Sequence, residues 1–171
     1  KRNFFIKKEN QLIENSIEKT IQDAVKIRTI SDVPYGIFLS SGIDSTLVAA
    51  ILKNQKNNVS SFSIGIKDNK LVDESSDSKK IAKSLGLDHN ELIINENNLI
   101  NYFPKLDKVY GEPFADTSQI PTLILSEFSK KKITVALSGD GGDEIFCGYN
   151  RYLYTLKYEK ILRTIFKLNK S

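Results

Sequence analysis

Two short loops in the sequence combine serine, glycine and aspartate, and each directly follows an apolar run. The first loop is SSGIDS at residues 40–45, and the second is SGDGGDE at residues 138–144. If the apolar runs are parallel strands of one sheet, both loops leave its carboxyl edge, which is where α/β proteins bind ligands. The sequence therefore predicts a single site that is built from two loops far apart in the chain.

The first loop has the composition of an anion-binding turn. Gly42 tolerates unusual backbone angles, and a helix that begins at Asp44 would present N–H groups to an anion. The lysine of the P-loop pattern is absent, which argues against ordinary γ-phosphoryl transfer. Asp44 would repel a bare phosphate, so a bridging Mg²⁺ is indicated, since this ion takes one or two carboxylates together with phosphate oxygens. A helix N-cap is the alternative, because Ser and Asp are common caps.

The second loop places three glycines among three carboxylates. Without a bound cation such a turn would be flexible, and its carboxylates would repel one another. We therefore expect Asp143 to be a second ligand of Mg²⁺ and Asp140 to contact the substrate or an intermediate. The alternative is a solvated acidic turn.

The elements around the loops alternate between strand and helix patterns. The spacing of apolar residues predicts a helix at 9–29, a strand at 35–39, a helix at 44–53, a strand at 59–66, a helix at 73–85 that ends at Gly86, a strand at 91–94, helices at 97–109 and 120–130, and a strand at 133–137. This order predicts an α/β fold with a parallel sheet and helices on both faces, a Rossmann-like three-layer α/β/α arrangement. No repeat interrupts it, which indicates one domain.

Composition limits the class of protein. The chain has 171 residues, and no apolar run approaches the roughly 18 residues that a membrane span needs. The net charge of +4 comes from the two ends, whereas residues 9–149 carry more acidic than basic groups, so neither nucleic acid nor a membrane is an expected partner. One cysteine and no secretory signal pattern favour a cytoplasmic location.

The ends of the chain suggest a fragment. The sequence contains no methionine, and we take Lys1 to be a processing boundary. Residues 150–168 have apolar side chains at helical spacing and are expected to form a helix. Its apolar stripe would pack on sequence beyond residue 171 or on another chain, with a membrane-surface helix as the alternative.

Two residues that occur once receive structural interpretations. His89 has no cysteine or histidine partner at the spacing of metal ligands, so we expect a structural or solvent-exposed side chain. Cys147 is interpreted as a small packing residue.

Both loops resemble those of a known family. SSGIDS is similar to the S-G-G-x-D-S pyrophosphate loop of N-type ATP pyrophosphatases, and ALSGDGGDEIFCGYNRY at 136–152 resembles the signature of glutamine-hydrolysing asparagine synthetases. The similarity covers most of residues 31–152. It includes SFSIGI at 61–66, Asp73-Glu74, Asp88-His89, EPFAD at 112–116 and Ile120-Pro121. The second loop is the specific signal, because argininosuccinate, guanylate and NAD synthetases resemble the first.

The resemblance implies a fold and a domain organisation. The fold would be adenine nucleotide alpha hydrolase-like, of the N-type ATP pyrophosphatase kind. Residues 1–30 would be a leading helix, and residues 31–171 would be the ATP-binding domain, which in the family continues further and supplies a lysine for adenylation. The family also has an N-terminal glutaminase domain with a leading cysteine, which we expect to be absent here. This fragment alone is therefore expected to be inactive.

The resemblance also implies roles for individual residues of this sequence. The family pattern assigns Mg²⁺ to Asp44 and Asp143, and a role in forming an acyl-adenylate to Asp140, where the family often has Glu. It assigns adenine contact to the strand at Ser63 and Ile64. The remaining contacts with ATP are assigned to Leu39, Ser40, Ser41, Gly42, Asp44, Ser45, Ser138 and Gly139.

The implied reaction is attack by a carboxylate, that of the aspartate side chain, on the α-phosphorus of ATP. Pyrophosphate leaves, and ammonia from glutamine captures the acyl-adenylate to give asparagine. The partners would be these small molecules and the glutaminase domain of the full-length chain, and a homodimer stays open. The alternatives are an amidotransferase that acts on a sugar or β-lactam precursor, or a nucleotide-binding module without catalysis.

Three positions depart from the family pattern. Ser41 replaces the first glycine of S-G-G and is tolerable only if its backbone does not need a positive φ. Gly111 stands where the family usually has Asp, and Cys147 stands where it commonly has Gly.

Overall fold

A computed structural model describes residues 2–56, 58–67, 75–112 and 114–168. It contains a four-stranded sheet in the order β3-β2-β1-β4, with every neighbouring pair parallel. The strands are β1 (Tyr35–Phe38), β2 (Ser60–Ile66), β3 (Asp88–Ile94) and β4 (Val135–Leu137). The helices are α1 (Arg2–Arg28), α2 (Ile43–Gln55), α3 (Ser75–Leu85), α4 (Glu96–Tyr102), α5 (Leu106–Tyr110), α6 (Gln119–Ser129), α7 (Gly142–Phe146) and α8 (Asn150–Leu168), with a 3₁₀ turn at Phe103–Lys105.

The chain divides into two compact units, one ending at Ser138 and one beginning at Gly139. The first unit contains the whole sheet and helices α1 to α6. The second contains α7 and α8. The predicted α/β fold with a parallel sheet is confirmed in the first unit.

The strand order explains where a ligand can bind in the first unit. The chain moves outwards from β1 to β2 and β3, and then crosses back to place β4 on the other side of β1. The order therefore reverses beside β1, and ligands of open α/β sheets bind at the carboxyl ends of the strands at such a point. The first loop follows β1 and Ser138 follows β4, so both begin at this edge.

Alternate side chains of β1 and β2 enter two different cores, as the pleat of a strand requires. On one face Ile37 of β1 packs in a buried cluster with α1, α2 and α3, which also contains Val59, the residue that precedes β2. On the other face Phe62 packs with Leu125 and Phe128 of α6, and the Phe62 and Phe128 rings meet edge to face at 6.0 Å. Helices thus cover both faces of the sheet, which confirms the predicted three layers.

Several element boundaries differ from the predicted ones. Strand β3 begins at Asp88 instead of residue 91, because it pairs with β2 along its whole length, from Ser60↔Asp88 to Ile66↔Ile94. Pairing here outweighs the weak strand propensity of Asp88-His89-Asn90. The predicted helix at 97–109 is divided into α4, a 3₁₀ turn and α5, with Pro104 in the turn, where it interrupts the helical hydrogen bonds.

Other elements also differ from their predicted bounds. Helix α1 is longer than predicted, β4 begins at Val135 instead of residue 133, and the short helix α7 inside the second loop was not predicted. The predicted start of α3 at residue 73 lies outside the described residues. Its predicted end is confirmed, because Gly86 follows α3 with a φ of +64°.

The predicted tail helix is confirmed as α8. Its apolar side chains are largely exposed, among them Leu153, Tyr154, Leu156, Tyr158 and Ile161. The side chains of Leu162 and Ile165, which belong to the predicted stripe, lie outside the described residues. Within the described part of the chain, no helix is long and apolar enough to cross a membrane.

The sheet leaves no room for a side chain at Gly36. An added Cβ would lie 2.5 Å from the carbonyl oxygen of Ser60 and 3.2 Å from atoms of Ile133 and Phe62. We predict that Gly36→Ala lowers the free energy of unfolding by about 1–3 kcal/mol, measured by urea denaturation. Gly42→Ala is the control, because its Cβ would meet only the rotatable Oγ of Ser40, at 3.1 Å. Equal losses for the two variants would contradict this prediction.

Candidate functional site

The first loop is held closed by two serine hydroxyls. Ser45 is 5% exposed, and its Oγ lies 2.8 Å from the Oγ of Ser40. The backbone N–H of Ser40 donates to the Ser45 Oγ at 3.2 Å, while the N–H of Gly42 donates to the Ser40 Oγ at 3.1 Å. At the base of the loop, the N–H of buried Leu39 donates to the carbonyl oxygen of Phe62 at 2.8 Å. These bonds fix the path of the loop within the first unit.

Conformational freedom is not the reason for Gly42. Its φ is −69°, which any residue adopts, so the expectation of unusual backbone angles at this position is wrong. An added Cβ would lie 3.1 Å from the Ser40 Oγ, and a small movement of that hydroxyl would accommodate it. Among the non-glycine residues that the structure describes, a positive φ occurs at Cys147 and not at Ser41. The condition for accepting serine at position 41 is therefore met.

Helix α2 begins directly after this loop with no side-chain cap. Its N-cap is Gly42, so the alternative interpretation of Ser or Asp as the cap is wrong. The first N–H to bond within the helix is that of Thr46, which reaches the Gly42 carbonyl at 3.2 Å. The N–H groups of Ile43, Asp44 and Ser45 have no partner inside the helix and carry the positive end of its dipole. Half-buried Asp44 lies in this first turn.

Strand β2 extends beyond the end of β1. Pairing with β1 stops at Phe38↔Phe62, whereas pairing with β3 continues to Ile66↔Ile94. Phe62 directs its N–H and C=O towards β1, and groups on alternate residues of a strand point the same way, so Ile64 does so as well. No strand in the described part of the chain pairs with Ile64 on that side. One backbone donor and one acceptor therefore face the carboxyl edge beside the first loop.

Ser63 differs from Ile64 in the direction of its polar groups. By the same alternation, its N–H and C=O point towards β3. Its side chain is 3% exposed, and its Oγ lies 3.2 Å from Nε2 of His89. Of these two predicted adenine contacts, Ile64 offers its backbone to the open edge.

The second loop is a compact turn within the second unit. Gly141 has a φ of +93° and precedes the short helix α7, and Cys147 ends that helix with a φ of +59°. The N–H of Gly148 then donates to the carbonyl oxygen of Asp143 at 3.0 Å. A Cβ on Gly148 would lie 1.8 Å from Oδ1 of Asp143. The half-buried carboxylate of Asp143 thus lies against a position that only glycine can occupy.

The Glu144 carboxylate of this loop is bound by the chain itself. The Oη of Tyr149 donates to Oε1 of Glu144 at 2.6 Å, and the Arg151 guanidinium lies 4.0 Å from the centre of the Tyr149 ring. The hydrogen bond from Tyr149 lowers the pKa of Glu144, and the same bond raises the pKa of Tyr149 to about 12. The expected mutual repulsion of the loop is therefore partly relieved by its own hydrogen bonds.

The predicted site residues fall into two groups. Those at the carboxyl edge of the first unit are Leu39, Ser40, Ser41, Gly42, Asp44, Ser45, Ser63, Ile64 and Ser138. Gly139, Asp140 and Asp143 belong to the second unit, where the Gly139 carbonyl accepts from the N–H of Gly142 at 3.2 Å. Asp140 is exposed. Among the residues that are described, no group of three or more His, Cys, Asp or Glu side chains is placed to hold a metal ion.

Sequence reasoning missed several residues that shape the loops. Thr46 donates its hydroxyl to the Gly42 carbonyl at 2.7 Å, and Tyr149 and Gly148 position the carboxylates of the second loop. Gly148 and Tyr149 lie inside the motif that carries the family resemblance, so the sequence indicated that they belong to the site. It did not show which side chains they contact. His89 was noted within the resemblance and as a structural or exposed residue, but its contacts with Ser61 and Ser63 were not predicted.

Comparison with a family model and with curated relatives indicates the same family. The family model described as asparagine synthase matches residues 16–169. The putative asparagine synthetase [glutamine-hydrolyzing] 2 of Methanocaldococcus jannaschii is 37% identical over 91% of this chain and 31% of its own length. Asparagine synthetase [glutamine-hydrolyzing] 1 of Bacillus subtilis is 34% identical over 86% of this chain and 23% of its own length. The chain therefore spans less than a third of the relatives it matches.

A solved structure shares the fold. The NH3-dependent NAD synthetase from Campylobacter jejuni, in complex with the nitrate ion, superposes with a TM-score of 0.50 at 26% identity. The match covers 82% of this chain and 60% of that one. It agrees with the predicted adenine nucleotide alpha hydrolase-like fold.

We predict that Tyr149→Phe raises the pKa of Glu144 towards its ordinary value, measured by NMR titration of the carboxyl carbon. Because the folded-state pKa is lowered, the bond stabilises the protein above the ordinary carboxyl pKa of about 4.3, and this contribution is lost as the pH falls through the lowered pKa. The stability difference between wild type and variant should therefore shrink in acid. Tyr152→Phe is the control. An unchanged Glu144 pKa in Tyr149→Phe would contradict the assignment.

Proposed function

The chain belongs to the asparagine synthase family, and we propose that it is the ATP-binding part of an amide-forming ligase. In the proposed reaction, a carboxylate oxygen of the aspartate side chain attacks the α-phosphorus of ATP. The bond to pyrophosphate breaks, and an acyl-adenylate forms. Ammonia from glutamine then attacks the acyl carbon, AMP leaves, and asparagine is produced.

The observation that carries this proposal is the pairing of two features at one edge of the first unit. The N-terminus of α2 offers N–H groups suited to phosphate oxygens. Beside it, the backbone N–H and C=O of Ile64 form a donor–acceptor pair. Adenine presents the complementary pair, N1 as acceptor and the N6 amino group as donor. A nucleotide with its base at Ile64 and its phosphates at the first loop would use both features.

The first loop supports binding of the leaving pyrophosphate rather than transfer of a γ-phosphoryl group. The Ser40 and Ser45 hydroxyls accept from the N–H groups of Gly42 and Ser40, respectively, and so fix the loop. The N–H groups at the start of α2 are thereby positioned before any ligand arrives, and such preorganised donors stabilise charge that develops on a leaving group. Leu39 and Ser41 would contact the nucleotide through the backbone. We extend the nucleotide contacts to Ser138 and Gly139, which follow β4.

We propose Mg²⁺ as the cofactor, with Asp44 and Asp143 as its protein ligands. The donor set fits, because carboxylate oxygens are the groups that Mg²⁺ prefers, and each of the two side chains is half-buried at a helix start. The ion would neutralise charge on the pyrophosphate. Asp140 is proposed to contact the acyl-adenylate.

The other partners follow from the same family. The glutamine-hydrolysing relatives suggest a glutaminase domain, in a longer polypeptide, as the source of ammonia, and we propose a cytoplasmic ligase. Alternative acceptors, such as a sugar or β-lactam precursor carboxylate, would change the residues that contact the acceptor and leave the ATP site as described.

Adenine recognition by Ile64 predicts discrimination against inosine triphosphate. Hypoxanthine carries N1–H and O6, the reverse of adenine's pattern, so it would place donor against donor. We predict that the chain binds ITP about tenfold or more weakly than ATP, as expected when two backbone groups lose their partners. Isothermal titration calorimetry in magnesium buffer measures both, with magnesium pyrophosphate as the base-free reference. Equal affinity for ATP and ITP would rule out the Ile64 contact.

A shared magnesium ion predicts coupling between the two aspartates. Asp44→Asn and Asp143→Asn should each weaken ATP binding in magnesium buffer, whereas without magnesium each should strengthen it or leave it unchanged, because a repulsive charge is removed. The double variant should lose less than the sum of the singles, by about 0.5–3 kcal/mol. The same calorimetry on all four proteins gives this coupling. Strict additivity together with no dependence on magnesium would exclude a shared ion.

A further inference from the structure

His89 forms a bridge between two serines of the neighbouring strand. Its Nδ1 lies 3.0 Å from Ser61 Oγ, and its Nε2 lies 3.2 Å from Ser63 Oγ. Ser61 is 0% exposed and Ser63 is 3% exposed. The register pairs Ser61 with His89 directly, so the ring lies along the same face of β2 as both hydroxyls.

The hydrogen bonds of this bridge are complete when the imidazole is neutral. A neutral ring has one donor and one acceptor nitrogen, and each serine hydroxyl can take either role. Burial lowers the pKa of His89, against the opposing effect of Glu91 and Asp88, and Lys79 lowers it further. The neutral ring is therefore the form that fits this position.

This cluster is not suited to activating one of its serines as a nucleophile. In Ser-His-Asp hydrolases a carboxylate orients the second nitrogen of the histidine, whereas here that nitrogen meets Ser61. Ser63 is also buried, so no substrate carbonyl reaches its hydroxyl. The arrangement is suited to holding a strand in place.

The bridge ends at Ser63, where β2 loses its pairing with β1 and keeps its pairing with β3. The His89–Ser63 contact therefore holds, from the β3 side, the residue that immediately precedes Ile64. Since the polar groups of Ile64 point to the opposite side, a displacement of Ser63 would be transmitted directly to them.

We propose that His89 is a positioning residue for the nucleotide base, and that it acts through the hydroxyl of Ser63. It fixes the end of β2, so that the donor and acceptor of Ile64 are held in place before a nucleotide binds. This inference rests on the proposed ATP site. It assigns to His89 an effect on the base and none on the phosphates, which bind at the other end of that site.

Two substitutions separate the two nitrogens of the ring. The amide of His89→Asn reaches the place of Nδ1 and can retain the contact with Ser61, while losing that with Ser63. The longer side chain of His89→Gln reaches the place of Nε2 and can retain the contact with Ser63. Ser63→Ala removes the same contact from the β2 side and provides a second variant if His89→Asn fails to fold.

The experiment measures the dissociation constants of ATP and of magnesium pyrophosphate for the wild-type chain and these variants. We expect His89→Asn and Ser63→Ala to bind ATP about fivefold more weakly, the scale of one net hydrogen bond, with pyrophosphate binding unchanged. His89→Gln should bind ATP like the wild type.

Each other outcome identifies a different failure. Unchanged ATP affinity in His89→Asn and Ser63→Ala, or an equal loss of ATP and pyrophosphate affinity, would overturn the positioning role and leave the proposed ATP site intact. A His89→Gln variant as weak as His89→Asn would overturn the assignment to Ser63. A wild-type chain that binds pyrophosphate but not ATP would overturn the proposed function itself, and this inference with it.

Discussion

The arrangement of the candidate site depends on the unequal lengths of two neighbouring strands. Strand β1 ends at Phe38, where the chain turns into the first loop, while β2 continues to Ile66 and, among the described strands, pairs there with β3 only. Because backbone groups alternate along a strand, this overhang turns the N–H and C=O of Ile64 towards the space that β1 has left. The same early end of β1 places the N-terminus of α2 at that edge. The proposed contacts with the base and with the phosphates thus both depend on one strand ending before its neighbour.

Both loops of the sequence motif are ordered by contacts within the chain. Buried Ser45 bonds to the backbone and the hydroxyl of Ser40, which orients the first loop. In the second unit Tyr149 binds Glu144, and Gly148 leaves room for the Asp143 carboxylate. Groups held in this way lose little conformational entropy when a charged ligand binds. Such preorganisation is a main source of electrostatic catalysis.

The sequence predicted the sheet because its strands are short apolar runs separated by amphipathic helices, and it located both loops because each combines serine, glycine and aspartate directly after such a run. It could not predict that β3 begins at Asp88, since that boundary depends on pairing with β2 and not on local propensity. It also predicted unusual backbone angles at Gly42, whereas this residue has a φ of −69°, because backbone angles in a loop depend on the folded contacts around it. The bridge from His89 to Ser61 and Ser63 was hidden for a similar reason: strand register brings together residues that lie far apart in the chain.

In the proposed site, the first unit contacts the base at Ile64 and the phosphates at the start of α2. The most direct test is an NMR titration of the ¹⁵N-labelled chain, first with magnesium pyrophosphate and then, in a separate sample, with magnesium ATP. We expect the amides of Asp44 and Ser45 to shift with both ligands, and the amide of Ile64 to shift with ATP only. An Ile64 amide that does not respond to ATP while the loop amides do, or loop amides that respond to neither ligand, would contradict the proposed site.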